Sequence, residues 1–95
     1  MTEDKAKKKD AQQRKAVSNR IAKVIGHTKA IKNMVEDNRD CSEVLIQLAA
    51  VRAAINNTGK VILKEYLEDM IGEAVATGDE KRIQELNEII DVFLK

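Results

Sequence analysis

Residues 40–75 read DCSEVLIQLAAVRAAINNTGKVILKEYLEDMIGEAV, and the fold follows from how that stretch repeats. Val44, Leu48, Val51, Ile55, Ile62 and Tyr66 recur at spacings of three, four or seven, and Leu45, Ala49, Leu67, Ile71 and Ala74 widen the stripe. This is the period of an α-helix, and so broad an apolar arc needs more than one neighbour to cover it. Asp40 followed by Glu43 has the form of a capping box, in which each side chain accepts a bond from an otherwise unpaired backbone N–H. Cys41 therefore falls in the first turn, at the positive end of the helix dipole. Asn56, Asn57, Thr58 and Gly59 form helix poorly, so the helix can bend there or admit another backbone closely.

Upstream, Val17, Ile21, Val24, Thr28, Ile31 and Val35 step by four, three, four, three and four. That is a heptad seam, and it predicts a helix from about Ala11 to Glu36. The short polar link Asp37, Asn38, Arg39 reverses the chain into an antiparallel hairpin with the central helix. Downstream, Gly78 suits a left-handed cap and Asp79 the next N-cap. A last helix, Glu80 to about Leu94, repeats apolar residues at Ile83, Leu86, Ile90 and Phe93. With no proline, four glycines and no alternating pattern, the chain reads as all-α. Residues 1–10, MTEDKAKKKD, carry no large aliphatic side chain beyond Met1 and are expected to form a flexible basic arm, leaving 11–95 as the helical domain.

Charge is divided unevenly along the chain. Residues 1–35 hold ten Lys or Arg against three acids, and residues 36–95 hold seven against thirteen. A basic end of this kind suggests a polyanionic partner, with Arg14, Lys15, Arg20, Lys23, Lys29 and Lys32 lying off the apolar seam where they could meet phosphates. Ordinary solubilising charge is the plainer explanation of the same face. Glu65, Glu68, Asp69 and Glu73 read as a solvated acidic face. A lone cysteine without a signal-like amino terminus points to a reducing, cytoplasmic setting, and no apolar run reaches the roughly 18 residues of a membrane span.

Catalysis is not expected: there is no second histidine, Gly-rich phosphate loop or zinc-ligand spacing. The single His27 reads as a packed or hydrogen-bonded side chain. Cys41 and Met70 are soft donors that suit Cu(I), whereas Tyr66 is a poor Cu(I) ligand. Cys41 lies 25 positions before Tyr66, so at about 1.5 Å per residue they are some 37 Å apart on one helix. They can meet only between antiparallel copies, as two equivalent sites of an oligomer. From composition alone a buried or inert Cys41 is the plainer reading, and a helical oligomerisation or protein-interaction module that binds no DNA is the competing reading of the whole chain.

The segments IGHTKAIKNMVEDNRDCSEVLIQLAAVRAAINNTGKVILKEYLE and GDEKRIQELNEIIDVFLK resemble the CsoR/RcnR family of small bacterial transcriptional repressors. The G-H-x-x-x-I turn, the D-C-x-x-V-L-x-Q-L-A-A-V-R core and the ILKE-x-L run carry the likeness. The resemblance implies a three-helix subunit assembling as a dimer of dimers, a homotetramer that binds double-stranded operator DNA and releases it when an inducer occupies an intersubunit site. By position, Cys41 matches the family's helix-two cysteine, Tyr66 falls where copper sensors place a histidine, and Met70 falls where they place a second cysteine. Glu85 matches a carboxylate of the copper sensors that supports the ligands. Arg20 and Arg52 fall near positions used for DNA contact or coupling, and the basic helix-one face adds Arg14 and Lys23. The substitutions imply no trigonal S₂N copper site. They leave a low-coordinate Cu(I) site at Cys41 and Met70, or Cys41 alone as a thiol sensor, as the two inducer models.

Overall fold

The computed structural model describes the backbone of residues 2–94 and the side chains of residues 8, 10–73 and 76–94. Its elements are three helices: α1 (Thr2–Glu36), α2 (Cys41–Thr77) and α3 (Glu80–Leu94). The bounds of α3 coincide with the expectation. That of α1 does not, because the helix starts at Thr2 and not near Ala11. Lysine and alanine, which dominate residues 5–9, are good helix formers. Most side chains of the expected arm lie outside the described residues, as does that of Ala74.

Local chemistry sets the helix ends. At the end of α1 the N–H of Arg39 donates to the carbonyl of Met34 (2.9 Å) and that of Asn38 to Val35 (3.2 Å), a Schellman closure. Asn38 takes φ 57°, a left-handed conformation that asparagine tolerates better than most residues. Gly78 holds φ 66° after α2, and the carboxylate of Asp79 accepts from the N–H of Lys81 at 3.0 Å, so both act as expected. The box at the start of α2 is only half made. Asp40 accepts from the N–H of Ser42 at 3.4 Å, but Glu43 pairs with the Arg39 guanidinium at 3.0 Å. A charged donor one turn away competes well with a backbone N–H. Asn38→Gly should raise the melting temperature and Asn38→Val lower it, each by several degrees, since the left-handed penalty is about 1–2 kcal/mol. Thermal unfolding followed by circular dichroism checks both signs.

The chain divides into two compact units, Met1–Thr58 and Gly59–Lys95. The boundary falls in the run of weak helix formers that the sequence marks out. In the first unit, α1 and the start of α2 form the expected antiparallel hairpin. Ile31 and Val51 are buried at its centre, each worth about 1.5–3 kcal/mol. The face of α2 turned to α1 is Val44, Gln47, Val51, Ala54 and Thr58, where Thr58 is buried with its hydroxyl donating to the Ala54 carbonyl at 2.8 Å. That corrects the seam read from hydropathy: Leu48 and Ile55 stay about half exposed.

At about 100° per residue, Ile21, Val35, Leu48 and Ile55 share one side of this hairpin. Asn19, Arg20, Lys23 and Asn57 share the other.

In the second unit, α3 runs back along the end of α2. Met70 and Leu86 are buried, Ile90 and Phe93 half-buried, and Ile62, Ile71 and Ile83 exposed. Arg82 pairs with Glu73 across the two helices and reaches Asp79 at 3.9 Å. A Cβ added at Gly59 would overlap the Phe93 ring, so this glycine permits the close approach. Gly59→Leu should cost about 1–3 kcal/mol by displacing that ring. Gly72→Ala, with open space around its Cα, should gain up to about 1 kcal/mol. Chemical denaturation of the two variants tests the contrast.

Candidate inducer site and nucleic-acid interface

Cys41 is the first residue of α2 and its thiol is free and exposed. The cap at Asp40 and the Arg39–Glu43 pair fix the backbone on either side of it. Tyr66, Met70 and Glu85 belong to the second unit. Tyr66 and Met70 are one turn apart on α2, so they share a face. Tyr66 is half-buried and Met70 only 6% exposed. Glu85 is exposed on α3, next to buried Leu86. Among the described residues, no three His, Cys, Asp or Glu side chains group closely enough within the chain to hold a metal ion.

Arg14, Arg20 and Lys23 are exposed along α1, and Arg52 is exposed on α2. Among the described residues none of the four forms an ion pair, whereas Lys32, Arg39 and Arg82 each do. Arg20 and Lys23 share a groove of about 590 Å³ in the hairpin, together with Asn19, His27, Asn57 and Thr58. Arg14 and Arg52 do not line it. His27 is hydrogen-bonded, as the sequence suggests: its Nε2–H donates to the side-chain amide oxygen Oε1 of Gln47 at 2.7 Å, joining α1 to α2. Hydropathy and charge single out none of Gln47, Asn19 and Asn57. Gln47 had a signal, since it sits three after Val44 and four before Val51 on the turned-in face.

Among the described residues, no helix is long and apolar enough to cross a membrane.

The family model for metal-sensitive transcriptional repressors matches residues 13–94. The copper-sensing transcriptional repressor CsoR of Bacillus subtilis is 32% identical over 87 residues, 92% of this chain and 84% of that protein. The transcriptional repressor RcnR of Salmonella arizonae is 37% identical over 87 residues, covering 92% and 87%. Among solved structures, the nickel-responsive transcriptional regulator InrS is similar at TM-score 0.79 and 40% identity, covering 83% of this chain and 90% of that one. The copper-sensing repressor CsoR of Geobacillus thermodenitrificans, solved with Cu(I), is similar at TM-score 0.78 and 28% identity, covering 85% of each. With a family match over nearly its whole length and relatives more than 30% identical across most of both chains, this protein belongs to the CsoR/RcnR family of metal-sensitive transcriptional repressors.

Proposed function

We propose that the chain is a cytoplasmic, homotetrameric repressor that grips operator DNA through Arg14, Arg20, Lys23 and Arg52 and releases it when an inducer reacts at Cys41. As a member of a repressor family it is a regulator and not an enzyme. The observation that carries the DNA-binding reading is that these four exposed cations have no acidic partner among the described residues. Phosphates would supply the missing counter-charge. The side of the hairpin bearing Ile21, Val35, Leu48 and Ile55 offers apolar surface for the other subunits.

The donor set bears on the inducer. The Cys41 thiolate and the Met70 thioether of a neighbouring chain would hold Cu(I), a soft ion, with Tyr66 beside them as a non-ligand. Met70 is only 6% exposed within its own chain, so its thioether would have to turn toward the partner to meet the ion. Nickel or cobalt is less well served, since the only histidine, His27, already holds Gln47. The exposure of Cys41 favours a second reading, in which the thiolate alone adds to an electrophile or reactive sulfur species. The amino-terminal arm would add further phosphate contacts.

The test is duplex binding as a function of salt. Affinity should fall steeply, with a log–log slope near −0.9 for each phosphate neutralised. Absent or salt-independent binding would return the chain to the reading as a bundle that binds no DNA.

A further inference from the structure

The groove of about 590 Å³ on the polar side of the hairpin is larger than a phosphate contact on DNA requires. It falls within the range of about 300–1,000 Å³ typical of small-molecule sites. Its polar lining is Asn19, Arg20, Lys23 and His27 from α1 with Asn57 and Thr58 from α2. No carboxylate lines it, and among the described residues neither cation has an acidic partner.

Arg20 and Lys23 are three residues apart and Lys23 and His27 four, so the three side chains stack in steps of about 5–6 Å along one face. Like charges at this spacing repel and weaken a helix unless an anion sits between them. His27 is held in place by its Nε2–H bond to the side-chain amide oxygen of Gln47. Asn19 and Asn57 line the same space from opposite helices. The groove also lies on the side of the hairpin away from Ile21, Val35, Leu48 and Ile55, so association through that apolar surface leaves it open.

We infer that this groove binds a short linear polyphosphate, free or as the phosphate chain of a nucleotide, and that its occupancy competes with DNA for Arg20 and Lys23. The site would make the repressor responsive to a small anion independently of Cys41. The competition rests on the DNA-binding reading, and the occupancy of the groove does not.

The test is calorimetric titration of the full-length chain, without DNA, with inorganic tripolyphosphate, with ATP free of divalent metal, and with sulfate at matched ionic strength. Saturable binding of tripolyphosphate, and none of sulfate, is expected. ATP binding more tightly assigns the nucleotide as the natural form, and equal affinity assigns the phosphate chain alone. Asn57→Leu and Asn19→Leu, both at exposed positions, should each weaken tripolyphosphate about ten-fold or more by removing a bond to a charged group. Duplex affinity should stay within about two-fold, because both cations remain. Binding no stronger than that of sulfate, or unchanged in both variants, overturns the site. Tripolyphosphate that binds but fails to displace duplex at matched ionic strength overturns the competition. A chain that binds tripolyphosphate but no duplex keeps the groove and refutes the DNA-binding reading instead.

Discussion

Cys41→Ala should leave the repressor on its operator at inducer concentrations expected to release the native chain. Both inducer models run through this sulfur, the only thiol in the sequence, as Cu(I) ligand in one and as nucleophile in the other. The loss should therefore be complete, removing the whole coupling of about 1–3 kcal/mol, or roughly 5- to 150-fold in DNA affinity, that an inducer typically exerts. Basal DNA affinity should be unaffected, since the side chain is exposed and the cap at Asp40 uses backbone and carboxylate atoms only. Met70→Leu then separates the models. It conserves volume at a buried position of the second unit at a cost below about 1.5 kcal/mol while removing the thioether. Release by Cu(I) should fail in that variant, and release by an electrophile should persist. Fluorescence anisotropy of labelled operator measures all four combinations.

The second large effect is on DNA itself. The double variant Arg20→Ala with Lys23→Ala should lose roughly 10- to 100-fold in duplex affinity for each side chain removed, and its salt slope should fall by about one per cation. Folding stability should move by less than about 0.5 kcal/mol, because among the described residues neither side chain is ion-paired and both are exposed. Removing a like-charged pair three residues apart even favours the helix slightly. A drop in affinity with no drop in melting temperature is thus the signature expected. An equal loss in a Lys29→Ala, Lys32→Ala control would mean that general charge, and not this face, holds the DNA.

Helix ends were the most legible feature of the sequence, because caps are local. Asp40, Gly78 and Asp79 each announce their role by residue type, and each performs it. The partial failure at Glu43 is equally local: Arg39, read only as a linker residue, takes the carboxylate. Which face of α2 turns inward was not legible. Hydropathy ranks Leu48 and Ile55 above Gln47, Ala54 and Thr58, yet the second set meets α1 and the first stays exposed. A helix that is apolar around a wide arc does not say which strip its hairpin partner covers and which is left for other subunits. At the other end of α2 a small residue marks the intimate contact, since Gly59 lets the Phe93 ring of α3 approach.

The candidate site divides along the same line. The chemistry of Cys41, Met70 and Tyr66 could be weighed from residue type, because softness belongs to an atom and not to a fold. The groove around His27 could not. It depends on six side chains converging from two helices, and only the bond from His27 to Gln47 gives their spacing a reason.

The most direct test of the central claim is anaerobic titration of the reduced, operator-bound protein with Cu(I) buffered by a competing chelator, reading anisotropy throughout. DNA should be released as Cu(I) approaches one equivalent per chain, with the same titration of Cys41→Ala leaving the complex intact. Release that proceeds equally in Cys41→Ala would contradict the claim, since the inducer would then act somewhere other than the first turn of α2.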